Sequence, residues 1–238
     1  MTFVRQVRLD GQHDTHRYPF TLPVVQHLIK HPLELRTPIT FLTGDNGAGK
    51  STLVEAIAVA AGFNAEGGTQ SFRFATKATE SSLGDYLTIS WGTRKPRTGF
   101  FLRAESFYNV ITEIDRIGQG IHASYGGKSL HERSHGESFI DLMTHRFGGR
   151  GLYVLDEPEA ALSVKGCLTV LRRMHELVGE GSQFIIATHS PILLAAPGAT
   201  ILEIGDTIDE VSYDTAEPVA LTRNFLGEPD RFLRHLLD

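Results

Sequence analysis

Cysteine, tryptophan and methionine are scarce in this chain, with one, one and three among 238 residues. The single Cys167 excludes a disulfide within the chain and fits a reducing compartment. No long uncharged apolar run occurs, and the opening Met-Thr-Phe-Val-Arg-Gln-Val-Arg has no signal-peptide core. The expectation is a cytoplasmic chain without membrane insertion. An excess of positive charge is missing too. With a net charge of -5, composition supplies no general pull toward nucleic acid or anionic lipid. Repeats, low-complexity tracts and coiled-coil heptads are absent, which excludes long coiled arms. What remains is an ordinary globular composition, 41% hydrophobic and 21% charged, enough for one large α/β domain with a sizeable core.

The most informative stretch is Gly44-Asp45-Asn46-Gly47-Ala48-Gly49-Lys50-Ser51-Thr52. It follows an apolar run, Ile39 to Thr43, and precedes a helix-like run, Leu53 to Ala61. This is the G-x-x-x-x-G-K-[ST] pattern in its required setting of strand, Gly-rich turn and helix. Glycines let the backbone wrap closely around phosphates, where a Cβ would clash or forbid the dihedrals. The turn aims successive N–H groups and a helix N-terminus at the anion. Lys50 supplies a cation for the β/γ oxygens, and Ser51 a hydroxyl for Mg²⁺. The pattern predicts binding of a nucleoside triphosphate, taken to be ATP.

A second motif supplies what hydrolysis needs. Leu152-Tyr-Val-Leu-Asp156-Glu157 reads as a buried strand ending in two carboxylates. Asp156 is placed to hold Mg²⁺ directly or through water, and Glu157 to polarise the attacking water. Gln183 to Ala187 is a further strand, leading into Thr188-His189-Ser190-Pro191. His189, after the strand that follows the Asp-Glu strand, is placed to sense a γ-phosphate.

Along the rest of the chain, Phe3 to Leu9 has strand character, and Pro23 to Lys30 suits a short helix with Thr21 as cap. Leu33 to Thr43, interrupted at Pro38, leads into the phosphate loop. Gly62 to Ser82 reads as surface loop, and Tyr86 to Trp91 with Gly99 to Arg103 as a hairpin-like pair. Phe107, Val110, Ile111, Ile114 and Ile117 recur at helical spacing. Helices are expected over Glu137 to Phe147 and Val164 to Val178, a strand over Thr200 to Ile204, and two short helices in the tail, broken at Gly227-Glu-Pro229. The expected fold is a P-loop α/β domain spanning 1–238. It would have a mostly parallel sheet flanked by helices, an N-terminal antiparallel β portion and a small helical subdomain inserted at about 106–148.

In this order, Gly44 to Thr52, Ser134-His-Gly-Glu137, Leu155-Asp-Glu-Pro-Glu-Ala-Ala-Leu162 and Ala187-Thr-His-Ser-Pro191 resemble an ABC-type ATPase. The likeness is to the soluble branch with RecF, Rad50 and the SMC heads. It is closer still to small single-domain bacterial ATPases that share Phe101-Leu-Arg-Ala-Glu105-Ser-Phe and the Asn-Phe-Leu…Glu-Pro-Asp-Arg-Phe-Leu tail. That resemblance implies a Mg²⁺-dependent ATPase forming an ATP-sandwiched head-to-tail homodimer, in which Ser134 and Gly136 touch the γ-phosphate held by the other copy. It implies Glu105 in the position of a metal- and water-sensing Gln, and an aromatic on adenine for which Tyr18 and Phe20 are the candidates, core packing being the other reading of each. Three departures stand out: His135 replaces a Gly of the signature, Glu105 replaces Gln, and Ser163 replaces an Asp.

Other readings stay open. One is a nucleotide-gated binding module with little turnover, serving a nucleic-acid or effector-protein partner; another is an ATPase subunit of a membrane transporter. A P-loop kinase would want an Arg-bearing lid and has no need of the Asp-Glu pair. His131-Glu-Arg-Ser-His135 also fits the zinc-protease pattern H-E-x-x-H. That chemistry needs a regular helix, yet Gly126-Gly127 precedes it, Gly136 follows it, and no third ligand stands out. The expectation is a chance match.

Overall fold

The computed structural model describes residues 2–11, 13–69, 82–103 and 135–237. Strands β1 (Val4–Leu9), β2 (Leu33–Glu34) and β4 (Leu87–Trp91) form a small antiparallel sheet in the order β2-β1-β4. The main sheet has the order β5-β6-β7-β3-β8-β9, built from β3 (Ile39–Gly44), β5 (Thr98–Arg103), β6 (Gly151–Asp156), β7 (Gln183–Ala187), β8 (Thr200–Ile204) and β9 (Ile208–Val211). Its first five strands run parallel, and β9 is an antiparallel edge. This is the mixed α/β, mostly parallel architecture the alternating pattern predicts, antiparallel N-terminal portion included.

Strands β3, β6 and β7 are buried at every position because both faces of the sheet are covered. Side chains alternate between two cores. Ile39, Phe41, Tyr153, Leu155, Phe184 and Ile186 pack with the helices His135–Arg146 and Val164–Gly179. Leu42, Leu152, Val154, Ile185 and Ala187 pack on the other side with α1 (Pro23–Lys30) and α2 (Lys50–Ala60). Complete burial of a side chain such as Phe41 contributes roughly 1.5–3 kcal/mol. Gln183 joins the two sheets: its Oε1 accepts from the Phe3 and Val4 N–H groups, and its Nε2 donates to Val4 O.

Three local expectations are corrected. The runs around Trp91 and Phe101 form no hairpin: β4 pairs with β1 and β5 with β6, so the turn between them crosses from one sheet to the other. Alternating side chains suit either pairing, and the larger parallel sheet takes β5. After α2 the chain is not surface loop over its described part. Phe63 and Ala65 are buried, and Gly68 exchanges two backbone hydrogen bonds with Phe101. The N-cap of α1 is Leu22 without a side-chain hydrogen bond, so Thr21 does not cap it. The two tail helices, Glu217–Gly227 and Pro229–Leu237, break where expected. Of the expected helical insertion, the described part is the helix His135–Arg146, which buries Phe139, Leu142 and Met143 in the main core. The periodic segment from Phe107 to Ile117 lies outside the described residues.

Candidate nucleotide site

The turn between β3 and α2 shows why glycine recurs there. Gly44, Gly47 and Gly49 all have positive φ (128°, 85° and 95°). A Cβ on Gly44 would sit 2.1 Å from Ile204 O, and one on Gly49 would sit 2.7 Å from Val24 Cγ1. Gly47 faces open space instead. Gly49 occupies the left-handed N-cap of α2 without a side-chain cap, and the α2 ladder starts with Leu53 N donating to Gly49 O. The N–H groups of Lys50, Ser51 and Thr52 therefore lie ahead of that ladder, at the positive end of the helix. The first turn of α2 carries no acidic residue to compete for them.

Lys50 is buried, and its Nζ donates to Gly44 O and Asp45 O, both at 2.7 Å. Burial pushes its pKa below the ordinary 10.5, and the pull of Glu157, Asp156 and Asp45 only partly offsets this. Sheet order sets the spacing of the two motifs. Strand β7 lies between β3 and β6, so Asp156 stands two strand spacings from the P-loop strand, about 9–10 Å. Alternation along β6 puts Asp156, which is buried, on the same face as Leu152 and Val154, the side covered by α2. Glu157 leaves the strand in a left-handed conformation (φ 48°), half-buried, with its N–H donating to Ala187 O.

His189 lies two residues beyond β7. Its N–H donates to Glu159 Oε1 at 2.7 Å, and Thr188 Oγ1 donates to the same oxygen at 2.7 Å. The His189 Nε2 atom is shielded from solvent and has no hydrogen-bond partner among the described residues. Thr188 N donates to Leu42 O, which ties this turn to the P-loop strand. Lys50, Asp156, Glu157 and His189 are thus carried by the carboxyl ends of adjacent parallel strands and the turns that follow them, where open α/β sheets bind ligands.

The remaining candidates fall differently. Gly136 opens the helix His135–Arg146, and a Cβ there would meet Ala161 O at 2.7 Å, so close packing requires glycine at this position. Glu105 and Ser134 lie outside the described residues, as does His131 of the H-E-x-x-H match. Among the described residues, no group of three or more His, Cys, Asp or Glu is gathered to hold a metal ion. Phe20 is spent on packing: it is buried and meets Tyr86 edge-on at 5.0 Å. Tyr18 is 61% exposed, with its hydroxyl 3.4 Å from Thr52 Oγ1 on the first turn of α2.

Sequence reasoning missed two polar contacts here. One is the Glu159 bridge; the Pro-Glu that follows Asp156-Glu157 was its only trace. The other is the ion pair of Arg103 at the end of β5 with Glu55 of α2, at 2.7 Å and largely buried, which fastens the P-loop helix to the sheet. No spacing rule links residues so far apart in the chain.

The model of a family described as "AAA domain" matches residues 26–131. Ribose import ATP-binding protein RbsA of Shigella dysenteriae is 26% identical over 210 residues, covering 79% of this chain and 42% of that protein. Macrolide export ATP-binding/permease protein MacB of Hahella chejuensis is 23% identical over 205 residues, covering 75% of this chain and 29% of that protein. The chain thus spans less than half the length of the curated relatives it matches. Among solved structures, an SMC head domain from Thermotoga maritima aligns with a TM-score of 0.45 at 16% identity, covering 88% of this chain and 98% of that one. An inward-facing conformation of a putative metal-chelate type ABC transporter aligns at 0.45 and 15% identity, over 77% and 75%. The fold is a mostly parallel α/β sheet with a P-loop turn between β3 and α2. The family model and the sequence relatives support an ABC-type P-loop ATPase family member.

Proposed function

We propose that the chain is a Mg²⁺-dependent ATPase whose ATP-bound form closes head-to-tail on a second copy and passes that motion to a partner. The observation that carries the reading is that the buried Lys50 and Asp156, with Glu157 and His189, lie at the carboxyl ends of neighbouring parallel strands. Residues Gly44 to Thr52 hold the triphosphate, with Lys50 exchanging its two carbonyl partners for phosphate oxygens. Tyr18, exposed beside Thr52, is the better of the two aromatic candidates for adenine. A buried carboxylate at the end of β6 and a hydroxyl on the first turn of α2 are oxygen ligands of the kind that suits a hard divalent cation. Asp156 and Ser51 would hold Mg²⁺, with Glu105 as a further ligand; bound there, the ion neutralises charge on the phosphate oxygens. Glu157 takes the proton of the attacking water, and His189 steadies the γ-phosphate with its free ring nitrogen.

Ser134 and Gly136 complete the site of the opposite copy, so ATP is the glue of the dimer. The whole of 1–238 acts as one cytoplasmic ATPase unit, with 106–148 as its inserted helical part. Its load is a protein or a nucleic acid. The names of the sequence relatives, an import ATP-binding protein and an export ATP-binding/permease protein, favour a second reading, in which the chain is the ATPase of a membrane transporter. Among the described residues, no helix is long and apolar enough to cross a membrane, so a transporter role would need a separate membrane subunit or segment.

Calorimetric titration and light scattering test the proposal together. ATP should bind the natural protein and not Lys50→Ala. Glu157→Gln with ATP and Mg²⁺ should run as a dimer that Ser134→Arg returns to monomer. Undiminished binding by Lys50→Ala would remove the P-loop from the account. A Glu157→Gln protein that binds ATP yet stays monomeric at every concentration would remove the clamp.

A further inference from the structure

We propose that Glu159 is a positioning residue. Its carboxylate sets where His189 stands relative to Glu157, so the acidic turn and the histidine turn move as one piece. The inference rests on the reading of His189 as the γ-phosphate-facing residue.

Glu159 lies in the short 3₁₀ turn Pro158–Ala161, immediately after Glu157. Its Oε1 takes two donors from one neighbouring segment, the Thr188 hydroxyl and the His189 N–H, both at 2.7 Å. Bonds to a carboxylate are shorter and stronger than neutral ones, and the one from the His189 N–H falls at the short end of its range. The Thr188 hydroxyl is itself held, accepting from Ser190 N at 3.0 Å. A relay thus runs from the Ser190 backbone through Thr188 to Glu159. One further bond, Glu157 N to Ala187 O at 2.9 Å, closes the link between the two segments. The peptide carrying His189 is therefore fixed by a side chain two residues past the proposed general base. Burial deepens the constraint, because Thr188 and Ser190 are almost fully enclosed, with Cys167 of the helix Val164–Gly179 against Ser190. Nothing in this arrangement requires Glu159 to touch nucleotide: its effect passes through His189.

A brace of this kind differs from a merely structural carboxylate in what its removal changes. Glutamine at 159 keeps a carbonyl oxygen able to accept both donors, whereas alanine keeps none. Misplacing a reacting group by about 1 Å is enough to cost on the order of 10²-fold in rate. Glu159→Ala should therefore lower kcat for ATP about 10- to 100-fold while the ATP dissociation constant stays within about 3-fold, and Glu159→Gln should recover most of the loss. Glu159→Ala combined with His189→Ala should be no slower than His189→Ala alone, because the first acts only through the second.

Steady-state kinetics and calorimetry on the full chain decide the matter. An unchanged kcat in Glu159→Ala, a parallel loss of ATP binding, or losses that multiply in the double variant would each overturn the inference. If His189→Ala leaves kcat unchanged, the γ-phosphate reading of His189 fails and takes this inference with it. If His189→Ala is slow and Glu159→Ala is not, only the inference fails. Should Glu159→Ala give no cooperative thermal transition, Thr188→Val takes its place. It removes one of the two donors at nearly constant shape; a fall in kcat that is non-additive with His189→Ala supports the brace, and no fall overturns it.

Discussion

Replacing Gln183 by leucine removes the clamp between the two sheets and leaves the volume of the site nearly unchanged. Gln183 is wholly buried at the start of β7, and it makes three hydrogen bonds to the backbone of Phe3 and Val4. Each such bond contributes about 1 kcal/mol net, so their loss alone costs roughly 3 kcal/mol. The true cost is larger. Two N–H groups and a carbonyl would be left without side-chain partners in a dry interior, and each carries a desolvation penalty of about 1–3 kcal/mol unless water enters. At this chain length each kcal/mol lowers Tm by roughly 2–4 °C, so the variant should melt at least about 6–12 °C below the natural protein. Urea unfolding followed by circular dichroism gives the same quantity. The midpoint should fall at unchanged slope, because the surface exposed on unfolding is the same. A loss below about 1 kcal/mol would refute the reasoning, since it would mean that the strand β1 finds equivalent partners elsewhere.

Three other outcomes are expected. Tyr153, stacked on Phe147 at 4.1 Å, donates its hydroxyl to Gly148 O at 2.7 Å, and burial pushes its pKa up to about 12. Tyr153→Phe should cost only about 0.5–1.5 kcal/mol in the same urea experiment, because Ser182 Oγ still donates to that carbonyl. Folding lowers the pKa of Lys50 in the nucleotide-free state, so between that lowered pKa and 10.5 the unfolded chain binds more protons, and stability rises with pH through that window. A bound triphosphate reverses the preference by favouring the ammonium form. ATP binding just below pH 10.5 should therefore take up a proton and weaken as pH rises. Calorimetry in buffers of different ionisation enthalpy measures this, and proton release would contradict it.

The motifs were legible because their chemistry is local. Gly44 to Thr52 needs its glycines for dihedrals and close approach, and the structure holds all three at positive φ. The Asp156-Glu157 strand was readable from an unbroken apolar run, which signals burial on both faces. Sheet order was not readable. That β7 separates β3 from β6 depends on which strands pair, and all three runs are equally apolar. The same blindness to pairing produced the false hairpin of β4 and β5. Glu159 was hidden for another reason: a glutamate in a turn is ordinarily a solvated one, and its two donors come from 29 and 30 residues away. The Gln183 clamp spans 179 and 180 residues, far beyond any local pattern.

The central claim is that Glu157 activates water beside a phosphate held by Lys50. Single-turnover hydrolysis of bound ATP by Glu157→Gln tests it most directly, with binding measured on the same sample. The substitution keeps shape and removes the charge that takes the proton. The account predicts nearly unchanged ATP affinity and hydrolysis slowed by about 10²–10⁴-fold. Hydrolysis within a few-fold of the natural rate, with ATP bound equally well, would contradict it.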